Sequence, residues 1–424
     1  MKRQLIAAVG VAAMVVGVAA CGSSAKSSTA GASSAPANYN GKTLTAWFMD
    51  GSAPQAWQDG IKADFEAKYP GAKLNIQIQK WDGIGQKVTT ALSEGSVDLL
   101  EVGNTQTAGY AATGGLADLT SAKADLGGSD WAANLNESSV LDGKQYAAPW
   151  YFTNRVVIYN KGLWTKAGIA APPKTLDEFY GDLDKLKATA GVANPIYLPG
   201  QEWYTYFGLL AGSGGKIATQ SGSTWTGNLE SPEAKAAFQT FQKLQSYSNA
   251  PKDKDEATPQ QMTLFPKGDI GAMIGLGWEA PAAKDMPADN VGYFPLPGVT
   301  ADKPSGVFLG GSNLAISAAS KNQDLAKGLL KIAMSDKYEG QMAATGLIPN
   351  KPALNSLATT PFAQAAIPAS LNGATTPNVA TWANVENTPN PIKDFLTAVL
   401  TGADYDATAK KYDAEITKRL GQKQ

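Results

Sequence analysis

Between Leu44 and Gly103 the sequence changes its hydrophobic period four times, and this alternation restricts the fold more than any other feature. KTLTAWFMDG is a short β-rich run, Leu44 to Phe48, ending in Asp50-Gly51. APQAWQDGIKADFEAKYPG then sets Trp57, Ile61, Phe65 and Tyr69 four apart on one helix face, and Pro70-Gly71 ends it. AKLNIQIQ alternates as a strand, IGQKVTTALSEGS reads as a helix, and VDLLEVG is the mostly apolar strand of a sheet covered on both faces. This order predicts an α/β sheet with right-handed crossovers.

The pattern resumes further on. VVIYN reads as a strand and TLDEFYGDLDKLKATAG as a helix, with Thr175 and Glu178 spaced as a capping box. PIYLPG and DIGAMIGLG supply further strands, with helices SPEAKAAFQTFQKLQSYS and QQMTLFPKG between them. NLAIS is a strand, NQDLAKGLLKIAMSDKYEGQMAATG one long helix, and DYDATAKKYDAEITKRL an amphipathic helix with Ala409, Tyr412, Ile416 and Leu420 on one side. A chain of 424 residues exceeds what one core holds, since single cores stop growing near ~250 to 300 residues, so two α/β lobes are expected. There is no sequence repeat, and no Gly/Ser-rich linker follows residue 40.

Composition removes whole classes of function. Lys plus Arg is 36 and Asp plus Glu 37, a net charge of -1 that offers no footprint for nucleic acid and points to a neutral partner. Histidine is absent and Cys21 is the only cysteine, so Ser-His-Asp and Cys-His nucleophile pairs and His or Cys metal sites are excluded. Carboxylate-only catalysis stays open. No cofactor and no metal are expected.

MKRQLIAAVGVAAMVVGVAAC pairs Lys2 and Arg3 with an apolar run from Leu5 to Ala20, too short and too rich in Gly and Ala for a comfortable membrane span, and reads as an export signal over residues 1–20. Val18, Ala19, Ala20 and Cys21 resemble the bacterial lipobox, which implies cleavage before Cys21 and its lipidation. The Ser/Ala/Gly tract over residues 21–40 cannot bury enough surface to fold and is expected to be a tether of roughly 25 Å reach. These features place the mature protein outside the cytoplasm, lipid-anchored to the outer face of the membrane, with that anchor as its only membrane contact.

One stretch joins three large rings and a guanidinium to a plain strand: PWYFTNRVVIYNKGLW, from Pro149. Rings beside planar polar groups suit a neutral partner that stacks on aromatic faces and exchanges hydrogen bonds. Trp150, Tyr151 and Arg155 supply that mixture, as do Asn104 and Gln106 just past VDLLEVG and Asp50 at the end of the first strand. For Arg155 a salt bridge between lobes is the competing reading. Trp47, Trp57, Trp131, Trp164 and Trp225 read as core. GLGWEA matches G-x-G-x-x-A, but Glu279 would set a carboxylate beside a pyrophosphate, so the dinucleotide reading fails. KDKDEA, at Lys252, reads as a solvated turn.

DGKQYAAPW, VVIYNKGLWTKAGIAAPPKTLDEF, GDIGAMIGLGWEA, VGYFPLPG, GGSNLAIS and TGLIPNKPAL, in that order, resemble the carbohydrate-type extracellular solute-binding proteins of ABC importers, the group that includes maltose-binding protein. The resemblance implies a two-lobed periplasmic-binding-protein-like fold that closes on ligand about a hinge. It places crossings near Tyr151 to Val156, Phe308 to Asn313 and residues 355 to 362. Lobe 1 is expected over residues 41–154 and 310–358, and lobe 2 over 155–309 and 359–424.

It also implies ligand contacts at Glu202, Trp203, Tyr204, Trp278, Glu279 and Trp382, beside Gly311 and Asn313, with Gly310 and Gly311 as hinge positions. The polar trio of maltose-binding protein is replaced here by Asn104, Thr105 and Gln106. EVGNTQTAGYAATGGLADLT looks like a block of chitobiose and other disaccharide binders, which points to a di- or trisaccharide. The expected function is capture of an oligosaccharide by a monomer that delivers it to the transmembrane permease subunits, with no enzymatic step. A cell-surface glycan adhesin and a glycosidase using Glu202 and Glu279 are the alternatives.

Overall fold

The computed structural model describes residues 38–279 and 286–422. The expected export signal, Cys21 and most of the expected tether lie outside the described residues. The described residues from Tyr39 onward pack as one compact unit.

Strand β1 (Thr43–Met49) shows how the sequence fixes the first layer. Leu44, Ala46 and Phe48 face one apolar cluster with helix α1 (Gln55–Lys68), whose Trp57, Ile61 and Phe65 meet them as the four-residue spacing predicts. Trp47 and Met49 face the opposite side, against Val88 and Leu92 of helix α2 (Ile84–Glu94). This period of two is what a strand buried on both faces requires. Strands β2 (Lys73–Gln79) and β3 (Leu99–Gly103) flank β1 and run parallel to it.

Three later segments complete this sheet. Strands β4 (Ala147–Thr153), β8 (Gly310–Ile316) and β9 (Ile348–Pro349) join on the far side of β3, giving the order β9-β4-β8-β3-β1-β2. Strand β8 runs antiparallel to both β3 and β4, so the sheet is mixed. A Cβ on Gly311 would lie 2.3 Å from the Tyr151 carbonyl oxygen, so only glycine permits that approach.

The second sheet departs from the expected alternation. Strand β5 (Val156–Asn160), two residues past β4, is flanked by β6 (Ala272–Gly275) and β7 (Val291–Phe294), both antiparallel to it. PIYLPG, expected as a strand, makes only isolated parallel bridges, Asn194 to Ile270 and Tyr197 to Met273. Pro195 and Pro199 bracket the run and remove ladder donors. The cover comes from helices Leu176–Lys187, Trp203–Gly212, Pro232–Gln245, Pro391–Leu400 and Tyr405–Leu420. They enclose a second core containing Phe179, Leu183, Tyr206, Phe241, Phe395 and Ile416.

Local signals set the helix ends. Thr175 Oγ1 accepts from the Glu178 amide, 3.2 Å, as the capping motif predicts. The long helix expected after NQDLAK is two helices, Gln323–Ala333 and Asp336–Ala343. Ser335 takes extended dihedrals between them and its hydroxyl donates to the Ile332 carbonyl, so a serine of cap type begins a new helix. The expected helix QQMTLFPKG shortens to Gln261–Leu264 and a 3-10 turn, because Pro266 cannot continue it.

Candidate functional site

Arg155 follows Asn154, between β4 of the first sheet and β5 of the second. Each arm of its guanidinium meets a different carboxylate. Nε lies 2.7 Å from Glu202, Nη2 3.0 Å from Glu256 and Nη1 2.9 Å from Glu279. The three acids come from three separate loops. Glu202 caps the helix Trp203–Gly212, accepting from the Thr205 amide at 2.9 Å. Glu279 accepts from the Leu276 amide at 2.6 Å and from Gln261 Nε2 at 2.9 Å. The Tyr204 ring lies 5.2 Å from the guanidinium carbon.

Arg155 is therefore committed to protein carboxylates through all three nitrogens, but Glu202, Glu256 and Glu279 all lie within residues 155–309, so these pairs do not form the bridge between lobes that the sequence allowed. The ring carries one positive charge against three acids, nearly all shielded from water. Burial pushes the Glu202 carboxyl up, and the Glu256 charge adds to that while Arg155 opposes it. KDKDEA is not simply a solvated turn: Glu256 belongs to the ring, and Asp255 pairs with Lys393 at 2.7 Å. A short acidic run gave no sign in the sequence that one of its members points inward.

Aromatic rings adjoin the guanidinium. Trp203 and Tyr204 lie 4.3 Å apart, Tyr204 stacks on Phe308 at 5.0 Å, and Trp203 lies 6.4 Å from Trp382. Trp203 and Trp382 are fully buried in the second core. Arg155, Tyr204, Thr205, Gly208, Val307 and Phe308 border a narrow cavity. Trp278, one residue before Glu279, stands 60% exposed. Phe308, expected as the start of a crossing, was not among the expected ligand contacts, although it sits in the FLGGS run that leads into β8.

The corresponding end of the first sheet is organised by a different chemistry. Glu101 of β3 accepts from the Met49 amide at 2.7 Å, from Ser52 Oγ at 2.5 Å and from the Tyr151 hydroxyl at 2.9 Å. Ser312 Oγ donates to the Tyr151 oxygen at 3.1 Å. Burial raises the Glu101 carboxyl, and these donors offset part of the rise. The Trp150 ring points into the first core, 5.5 Å from Phe48 and 5.4 Å from Trp57.

The remaining expected residues occupy strand ends. Asp50 is exposed, and its amide donates to the Gln79 carbonyl. Asn104 is buried and donates from Nδ2 to the Leu309 carbonyl at 2.8 Å, pinning the segment that enters β8. Gln106 is half-buried beside Gly103. Asn313 donates from Nδ2 to Thr107 Oγ1 at 2.9 Å and to Ser138 Oγ at 3.1 Å. The structure thus gathers Arg155, Glu202, Trp203, Tyr204, Glu279 and Trp382 in one neighbourhood. It sets Trp150, Tyr151 and Asn313 within the packing of the first sheet.

A seam joins the two groups. Asn378 Nδ2 donates to the carbonyls of Glu137 at 2.8 Å and Val140 at 2.6 Å. Glu386, half-buried, lies against the Thr105 hydroxyl and the Trp382 indole, and burial raises its carboxyl. Neither Thr105 nor Glu386 was among the expected contacts. Glu386 stands four residues after Trp382, a helical spacing that marks one face.

Residues 50–340 match the family model described as bacterial extracellular solute-binding protein. The chain belongs to that family. It is 54% identical to the diacetylchitobiose binding protein DasA of Streptomyces coelicolor, over the whole of both chains. It is 24% identical to the maltodextrin-binding protein MdxE of Bacillus subtilis, covering 76% of this chain and 74% of that one. Among solved structures, the GacH receptor of Streptomyces glaucescens, determined unliganded and with acarbose, superposes with a TM-score of 0.74. That match has 25% identity and covers 90% of this chain and 99% of that one. The sugar-binding protein MalE of Xanthomonas citri gives a TM-score of 0.75 at 20% identity, over 89% and 97%. The fold of this solute-binding protein is accordingly the two-lobed one of the MalE type. Among the described residues no helix is long and apolar enough to cross a membrane.

Proposed function

We propose that the ligand of this sugar-binding component of an ABC importer is a short N-acetylated oligosaccharide of the diacetylchitobiose class, a di- or trisaccharide. The observation that carries the reading is end-to-end likeness, 54% identity over the full length, to a diacetylchitobiose binding protein. The side chains available agree with a neutral polyol: rings at Tyr204, Phe308 and Trp278, amides at Asn104 and Gln106, and the Glu386 acid, which lies close enough to Tyr204 to act on it. In this reading the lobes divide near 154/155, 309/310 and 358/359. Ligand favours the closed form because only that form lets both lobes touch it.

Asp50, Gln106, Tyr204 and Trp278 are the expected residues with surface left for a sugar. Trp150, Trp203 and Trp382 act from behind, as the packed base on which the site stands. Glu202 and Glu279 share one guanidinium, which favours a structural role over acid–base work on a glycosidic bond. Cleavage before Cys21, lipidation there with palmitate among the acyl groups, and a monomer tethered to the outer face of the membrane complete the proposal.

Isothermal titration of the soluble protein lacking residues 1–21 with diacetylchitobiose tests the ligand. Micromolar affinity, about -8 kcal/mol, is expected. Heat of binding only with maltodextrins would overturn the assignment, and release of monosaccharide from the same mixture would replace a binder with a glycosidase. Cys21→Ala should move the protein from the membrane fraction to the medium.

A further inference from the structure

The chain has ten tryptophans, and seven of them are buried. Only Trp81 and Trp278 are classed as exposed, at 44% and 60%. An indole held out in water forgoes the stabilisation that burial gives the others, so an ordered exposed one needs a reason. Trp278 was expected at the site. Trp81 was not, and it takes no part in the contacts described above.

Its position is specific. Trp81 follows β2 at the same end of the sheet where Asp50 follows β1 and Asn104 to Gln106 follow β3. A turn fixes its backbone: the Ile84 amide donates to the Trp81 carbonyl at 3.2 Å, and Gly83 takes φ 69°, which favours glycine. The indole rests on Gly103, with Cζ3 3.6 Å from where a Cβ on that residue would lie, and Gln106 Oε1 sits 3.5 Å from the same point. An exposed aromatic face therefore stands next to a half-buried amide, on a strand end that leads into the cleft.

We propose that Trp81 and Gln106 form an outer sugar subsite on the edge of lobe 1, which takes a third pyranose ring beyond a bound disaccharide. This rests on the oligosaccharide reading above. The ring's C–H face stacks on the indole, and its hydroxyls or acetamido group meet the Gln106 amide. Gly103 keeps the floor beneath the indole low. The subsite makes the protein a reader of chain length, favouring the trisaccharide over the disaccharide.

The test is titration of wild type and Trp81→Ala with diacetylchitobiose and with triacetylchitotriose, together with thermal melts. The variant should melt as wild type, lose about tenfold affinity for the trisaccharide and stay within about twofold for the disaccharide. Trp81→Phe should recover most of the loss. Unchanged affinity for both sugars, or an equal loss for both, overturns the outer subsite while leaving the ligand class intact. Unchanged affinities with impaired uptake in cells also overturn it, in favour of a permease contact. Wild-type protein that binds neither sugar sinks the ligand class itself, and the subsite with it.

Discussion

The proposed lobes 1 and 2, on the six- and three-stranded sheets, each shield carboxylates from water and stabilise them by opposite means. In lobe 2, Glu202, Glu256 and Glu279 surround the Arg155 guanidinium. In lobe 1, Glu101 has no cation partner among the described residues and is held by hydroxyls and an amide from Ser52, Tyr151 and Met49. The difference follows from what must be joined. Lobe 1 presents the ends of neighbouring strands, already set by a sheet, and neutral hydrogen bonds suffice to finish them. Lobe 2 brings three loops together around the start of β5, and a planar cation with donors on three sides fixes all three at once.

The largest effect should come from removing that cation. Arg155→Met leaves three buried acids facing one another without a counter-charge. Breaking a buried pair from one side typically costs about 3–5 kcal/mol. Urea unfolding should show at least that loss, and Arg155→Lys, with one compact ammonium, should recover only part of it. A loss under about 1 kcal/mol would show that the ring is solvated in solution.

The same isosteric change in each lobe sharpens the contrast. Glu279→Gln gives up a charge-assisted bond to Arg155 and should cost about 2 kcal/mol. Glu101→Gln keeps an acceptor for Ser52 and Met49, and the Tyr151 hydroxyl can turn toward Ser312. A cost of about 1 kcal/mol or less is expected by the same unfolding measurement. Equal costs would erase the distinction between charged and neutral organisation.

How far these arrangements were legible in the sequence depends on the range of the interaction. The alternation from Leu44 to Gly103 placed β1, α1, β2, α2 and β3, because period and caps are written within a few residues. The helix spacing of Trp57, Ile61 and Phe65 correctly marked them as core. The break at Ser335 and the failure of PIYLPG to form a strand were also written locally, in a cap residue and two prolines. They were outweighed there by the apolar pattern around them. Glu256 left no local signal, since its partner Arg155 lies far off in sequence, and Glu386 left only its spacing from Trp382, its other partner Thr105 being distant. Aromatic type alone separated core from rim poorly, since Trp150 and Trp382 are buried while Trp278 is exposed.

Lobe 1 also holds a buried acid whose titration should be visible. Glu339 is fully buried, with Lys351 Nζ 3.7 Å away and the Lys351 backbone against it. Burial pushes its carboxyl up to about 8, against the opposing pull of Lys351. Between the ordinary glutamate value of 4.5 and about 8 the native chain holds a proton that the unfolded chain has released. The native state thus binds more protons, and stability falls as pH rises through that window, by up to about 1.4 kcal/mol per pH unit. Glu339→Gln should flatten the slope between pH 5 and 8. A parallel slope in the variant would assign the titration elsewhere.

The smallest expected stability effect belongs to the turn that the lobe 2 ring holds in place. Trp278 projects into solvent from the turn that Glu279 anchors to Arg155. Trp278→Ala removes no buried contact, so unfolding should change by less than about 0.5 kcal/mol. If the ring serves to hold an indole for a sugar face, affinity for diacetylchitobiose should nevertheless fall about tenfold, the loss expected of one aromatic stack of about 1.4 kcal/mol. Trp382→Ala should behave in reverse order, losing about 3–5 kcal/mol of stability as a buried indole. If Trp278→Ala proved as destabilising as Trp382→Ala, the exposed indole would be part of the fold rather than part of the site. The charged ring would then organise a core edge instead of a binding wall.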